Sequence, residues 1–214
     1  MNRADILCKP KAVFWDFDGV IKESLEVKSR AFYNLFLPFG DQIANRVCKH
    51  HIANGGMSRG DKIPLYLQWA GQPNNAQIVD DFCVRFSEMV LEAVVEAPWV
   101  PGVETLLRTN PHRQLFFVVS ATPQKELEEI LKKLNLTECF LRIFGSPIRK
   151  ADAIQLTLSE QQLASRDCLM IGDALVDIEA SAENAVTFLL RRHLTNENIF
   201  SDYVGPHVKD FLDL

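Results

Sequence analysis

Four short apolar runs punctuate the chain and decide what class of fold it can adopt. They are Val13 to Trp15, Leu115 to Val119, Cys168 to Ile171 and Val186 to Leu190. Each is of strand length, and none alternates with polar residues. That is the pattern of strands buried on both faces of a parallel sheet. A weaker fifth candidate lies at residues 140–144. Segments with helical character separate the runs, at residues 123–134, 151–162 and 175–183. Strands alternating with helices predict an open α/β sheet with helices on both sides.

One interval breaks this rhythm. About 95 residues without a good strand lie between the first two runs, far more than one crossover helix needs. Their apolar residues recur at helical spacing: Val27, Ala31 and Leu35, then Ile78, Phe82, Phe86 and Val90. Gly40, Gly55 with Gly56, and Gly71 with Pro73 punctuate the stretch. The expectation is a helical insert over residues 23–97, with residues 98–102 as the return linker. The α/β core is then discontinuous, built from residues 1–22 and 98–214.

Composition narrows the function class. Lys and Arg total 23 against 28 Asp and Glu, a net charge of -5 with no basic run. Such a chain is not expected to bind nucleic acid or an anionic membrane surface. No segment approaches the roughly 18 apolar residues of a membrane span, and residues 1–11 lack the apolar core of a signal peptide. The five cysteines are scattered and include no CxxC, which argues against a disulfide framework or structural zinc. A cytoplasmic protein of undetermined oligomeric state is expected.

The polar residues that follow the apolar runs carry the chemistry. The first run ends in Asp16-Phe17-Asp18-Gly19-Val20. Ligands of open parallel sheets bind beyond the carboxyl ends of the strands. Two carboxylates placed there repel each other unless a cation or a shared proton intervenes. Gly19 permits an abrupt turn out of the strand. The second run ends in Ser120-Ala121-Thr122-Pro123, where Thr122 suits a helix N-cap and Pro123 the first helical position. Hydroxyls and free amides at such a helix start suit an anion. Lys150 follows the weak strand, and Gly172-Asp173 ends the Cys168 run, with Asp177 in the first turn of the next helix.

The order of these four signals resembles the haloacid dehalogenase superfamily. The insert after the first motif resembles its C1-type helical cap, as in phosphoglycolate phosphatases and β-phosphoglucomutases. The resemblance implies a Rossmann-like three-layer core and a phosphatase that hydrolyses a small phosphate monoester, a sugar phosphate by first choice. Asp16 would be the nucleophile that forms an aspartyl-phosphate. Asp18 would be the general acid/base, a role that calls for a raised pKa. Mg²⁺ would bind the Asp16 carboxylate, the Asp18 carbonyl and the Asp173 carboxylate. Ser120, Ala121 and Thr122 would hold phosphoryl oxygens, Lys150 would neutralise the phosphate and the nucleophile, and Asp177 would orient Lys150 or a metal-bound water.

The stretch from His50 to Arg59 resembles the substrate loop of the β-phosphoglucomutase-like group, with its G-x-S-R pattern, and casts Arg59 as a substrate ligand. His50 and His51 are not expected to bind metal. Where the mutases carry a histidine on the first cap helix, this chain has Lys28. A phosphomutase and a non-catalytic phosphometabolite-binding protein are the alternative readings.

Overall fold

The computed structural model describes residues 3–212. Six strands form one sheet in the order β3-β2-β1-β4-β5-β6, and every neighbouring pair is parallel. The strands are β1 (Ala12–Trp15), β2 (Leu115–Pro123), β3 (Arg142–Ser146), β4 (Cys168–Gly172), β5 (Thr187–Arg191) and β6 (His207–Val208). Side chains alternate between two buried faces. Val13, Trp15, Phe116, Val118, Leu169 and Ile171 belong to one apolar cluster; Ala12, Phe14, Phe117, Val119, Cys168 and Met170 belong to the other. This is why the runs are uniformly apolar rather than alternating.

The helices are α1 (Arg3–Cys8), α2 (Leu25–Phe36), α3 (Asp41–Ala53), α4 (Arg59–Trp69), α5 (Ala76–Glu96), α6 (Val103–Thr109), α7 (Gln124–Lys133), α8 (Lys150–Glu160) and α9 (Leu175–Glu183). Helices α2 to α5 lie between β1 and β2 in the chain, as the spacing predicts. Ser58 accepts a hydrogen bond from the Asp61 N–H at the start of α4, and Asn75 accepts one from Ile78 at the start of α5. The apolar stripe of α2 and α5, including Ala31, Leu35, Phe82, Phe86 and Val90, is continuous with the cluster on the first face of the sheet. The outgoing and returning segments are tied together: the Glu23 N–H donates to the Pro98 carbonyl at 2.9 Å and Val100 to Ile21 at 3.1 Å.

The strand order places the site. From β1 the chain moves outward to β2 and β3, then crosses to β4 on the other side of β1. The crevice beyond the ends of β1 and β4 is therefore the topological switch point, where open α/β sheets bind ligands. Asp16 continues the ladder there, its N–H donating to the Ile171 carbonyl at 2.9 Å.

Several boundaries differ from the sequence expectation. β2 continues through Ser120 and Thr122 to Pro123, with an irregularity in its pairing to β3 after Val119. Helix α7 consequently starts at Gln124, with Pro123 rather than Thr122 at the cap position. β3 begins two residues later than the apolar run suggests, because residues 137–139 form a 3-10 turn that runs on to Phe140. Helices α1 and α6 and strand β6 were not expected. The five cysteines are free, and no helix of the described residues is long and apolar enough to cross a membrane.

Phe14 sits fully buried and stacked on Phe117, with ring centroids 5.3 Å apart. Phe14→Ala is expected to cost about 3–5 kcal/mol in urea unfolding, the usual range for an aromatic cavity. Leu194→Ala, at a residue 85% exposed, should stay within about 0.5 kcal/mol.

Candidate active site

Four carboxylates converge at the switch point: Asp16 and Asp18 from the end of β1, Asp173 from the end of β4, and Asp177 from the first turn of α9. Carboxyl oxygens of Asp16, Asp173 and Asp177 all lie within 4.8 Å of one another and are buried. Two glycines make this crowding possible. Gly19 has a φ of +76°, and a Cβ there would collide with the Asp173 carboxylate. A Cβ on Gly172 would meet the Asp177 side chain at closest range.

Two lysines pair with three of the acids. Lys150, at the start of α8, places Nζ 2.8 Å from Asp16 Oδ1 and 2.6 Å from Asp177 Oδ1. The second oxygen of Asp177 accepts from the Asp173 and Ala174 N–H groups at 3.2 and 3.0 Å. Lys28, from α2, pairs with Asp18 Oδ2 and donates to Thr122 Oγ1 at 2.8 Å. Ser24 donates to the other Asp18 oxygen at 2.6 Å. Thr122 thus spends its hydroxyl on Asp18 and Lys28, which is why it does not cap α7. Ser120 is buried, and its Oγ accepts from the Thr122 N–H.

These partners set the proton affinities. Burial is the largest influence on Asp16 and pushes it up to about 7 against the pull of Lys150, with Asp177 and Asp18 adding to the rise. Asp173 and Asp177 are raised by burial as well, opposed chiefly by His193 and Lys150 respectively. Lys150 is raised despite its burial by Asp16 and Asp177, so it remains an ammonium. Asp18 goes the other way. Burial would raise it, but the Lys28 ammonium and the hydrogen bonds from Lys28, Ser24 and Thr122 hold it below the ordinary value. The expectation of a raised Asp18 is corrected here, and Lys28 is the reason.

The acids open into a cavity of about 570 Å³. It is lined on the core side by Asp16, Asp18, Ser120, Ala121, Thr122, Lys150 and Asp173, and on the helical side by Lys28, His51, Arg59 and Lys62. Arg59 is a wall of this cavity, but its guanidinium is engaged elsewhere. It forms a two-point ion pair with Glu126 of α7, at 2.7 and 2.6 Å, and donates to Ser87 at 2.5 Å. His50 bonds to the Tyr66 hydroxyl.

The sequence reading missed His193. It follows β5, and its Nε2 lies 2.8 Å from Asp173 Oδ2 while Nδ1 meets the Thr195 hydroxyl at 2.7 Å. Asn196 donates to the Asp173 carbonyl at 2.9 Å. A histidine two residues beyond an apolar strand carried the same positional signal as the other site residues.

The model of the haloacid dehalogenase-like hydrolase family matches residues 13–190. The chain belongs to this family. No curated protein matches it in sequence. Among solved structures it is similar to a "predicted phosphoglycolate phosphatase" from Haemophilus somnus, at 17% identity over 96% of both chains and a TM-score of 0.75. It is also similar to CbbY from Rhodobacter sphaeroides, at 16% identity over 96% of both chains. The complex of a CbbY variant with xylulose-(1,5)bisphosphate gives a TM-score of 0.75, and the complex with phosphate 0.74. At such identities the likeness is one of fold.

The raised Asp16 has a consequence for metal-free protein. Its carboxyl binds protons more tightly folded than unfolded, so the contribution of Asp16 to stability is fully present below about pH 4 and is lost as pH rises through about 7. Asp16→Asn should therefore unfold at a higher temperature than the parent at pH 8 in EDTA. The difference should shrink toward pH 4, as scanning calorimetry at several pH values would reveal.

Proposed function

We propose that this hydrolase is a Mg²⁺-dependent phosphatase of a small phosphate monoester, with Asp16 as its nucleophile. The observation that carries the reading is Asp16 itself: a buried carboxylate at the switch point, held by Lys150 beside Asp173, at the floor of a cavity of small-molecule size. The CbbY complexes with phosphate and with a sugar bisphosphate support a phosphorylated ligand for this fold.

The acid cluster fits a hard divalent cation. Asp16 and Asp173 offer buried carboxylate oxygens, and Asp18 has its side chain turned to Lys28, leaving its backbone carbonyl as its donor. Asp177 completes the observed acid triad, but both its oxygens are engaged, one by Lys150 and the other by backbone amides. It acts as the orienter of Lys150. Bound Mg²⁺ would offset the charge of the phosphate and of the transition state.

Asp16 attacks phosphorus, and the bond to the leaving oxygen breaks as that oxygen takes a proton from Asp18. An aspartyl-phosphate on Asp16 results. Water then loses a proton to Asp18 and attacks phosphorus, which releases inorganic phosphate and restores the Asp16 carboxylate. Lys28 holds Asp18 as the carboxylate that the second step needs. A phosphate dianion entering beside Lys28 draws the ammonium away and restores the proton affinity that the first step needs. Ser120, Ala121, Thr122 and Lys150 hold the phosphoryl oxygens. Residues 23–97 act as the cap that excludes bulk water. Substrate oxygens reach Arg59 only by sharing it with Glu126.

Phosphate release from a panel of monoesters, with Mg²⁺ and with EDTA, tests this. Release should require Mg²⁺ and fall about a thousandfold or more in Asp16→Asn, as expected for loss of a nucleophile. Rates in the variant equal to the parent's would sink the mechanism.

A further inference from the structure

The cavity holds a charge that ester hydrolysis does not use. Lys62, in the first turns of α4, is only 2% exposed yet lines the cavity. Its ammonium meets His51 Nδ1 at 2.9 Å, and no carboxylate among the described residues pairs with it. The neighbouring cations are already matched, Lys28 by Asp18 and Arg59 by Glu126. His51 is held neutral by burial and by the charges of Lys62 and Lys28, and it packs against Phe32 at 4.7 Å between centroids.

Burying an ammonium costs several kcal/mol unless an opposite charge accompanies it. One neutral imidazole does not supply that charge. The strain registers on Lys62 itself, pushed down to about 7 by burial and by Lys28. Phe32 and Phe86 add apolar wall to the same cavity. An anion in this part of the cavity would be desolvated and would face a cation with no competing anionic partner, where a charge-assisted hydrogen bond is strongest.

Building on the phosphatase reading, we propose that Lys62 binds a second anionic group of the substrate, a carboxylate or a second phosphate, so that the enzyme prefers phosphate monoesters carrying two separate anionic groups over neutral sugar phosphates. Lys62 is then the residue that sets specificity, a role the sequence pattern had suggested for Arg59.

Two matched pairs of probes isolate the second charge: 3-phosphoglycerate against glycerol 3-phosphate for a carboxylate, and fructose 1,6-bisphosphate against fructose 6-phosphate for a phosphate. Calorimetric titration into Asp16→Asn protein with Mg²⁺ reads affinity without turnover. At least one doubly anionic probe should bind tenfold or more tighter than its partner, and the pair that does so identifies the second group. Adding Lys62→Met, which keeps the volume and removes the charge, should abolish that ratio; unchanged ellipticity and melting cooperativity would show that the fold survives. The proposal is overturned if neither pair discriminates in the Lys62 protein, or if Lys62→Met weakens both members of a pair by the same factor. The phosphatase reading fails separately, if no ester including p-nitrophenyl phosphate is hydrolysed by the parent enzyme.

Discussion

Four carboxylates packed at the dry tip of a parallel sheet would drive the structure apart if left to themselves. Charges of one sign within a few ångströms in a poorly polarisable surrounding repel strongly. The fold answers with Lys150, which bridges Asp16 and Asp177, and with Lys28, which takes Asp18. These two lysines divide the work of the site. One acid is kept at high proton affinity by burial, and its neighbour two residues away is kept at low affinity by a cation. Glycines at 19 and 172 supply the space in which this arrangement is possible.

The helical insert is therefore part of the site's electrostatics as well as its roof. Lys28 crosses from α2 to an acid of the core, and Arg59 crosses from α4 to Glu126. Both pairs are largely buried, so removing a single partner would strand a charge and cost several kcal/mol, whereas the intact pairs add little net stability. Their value lies in fixing where the insert sits over the acids. The apolar cluster shared by α2, α5 and the sheet supplies the cohesion, and the charged pairs supply the registration.

Much of this was legible in the sequence because it is local. Uniformly apolar runs reported strands buried on two faces, and the polar residues just after them marked the strand ends. Val27, Ala31 and Leu35 reported an α2 whose inner face is apolar. What could not be read depends on contacts between distant segments. Lys28 registered only as a departure from the mutase pattern, since its meeting with Asp18 and Thr122 requires the insert to be folded back over β2. Thr122 looked like a helix cap because its neighbours fit one, yet β2 runs past it. Arg59 looked free because its partner is remote in sequence: Glu126 is 67 residues away. Lys62 carries no local signature and acquires meaning from His51, whereas His193 shares the strand-end position of the other site residues and shows its role only through Asp173.

The central claim is that Asp16 attacks phosphorus and carries the phosphoryl group. Borohydride trapping tests it most directly. Enzyme turning over p-nitrophenyl phosphate with Mg²⁺ is quenched and reduced, which converts an acyl phosphate to an alcohol, and the digested peptides are sequenced by mass spectrometry. The account predicts homoserine at position 16 and at no other acid. Turnover accompanied by an unmodified Asp16, or by reduction at Asp18 or Asp173 instead, would contradict it.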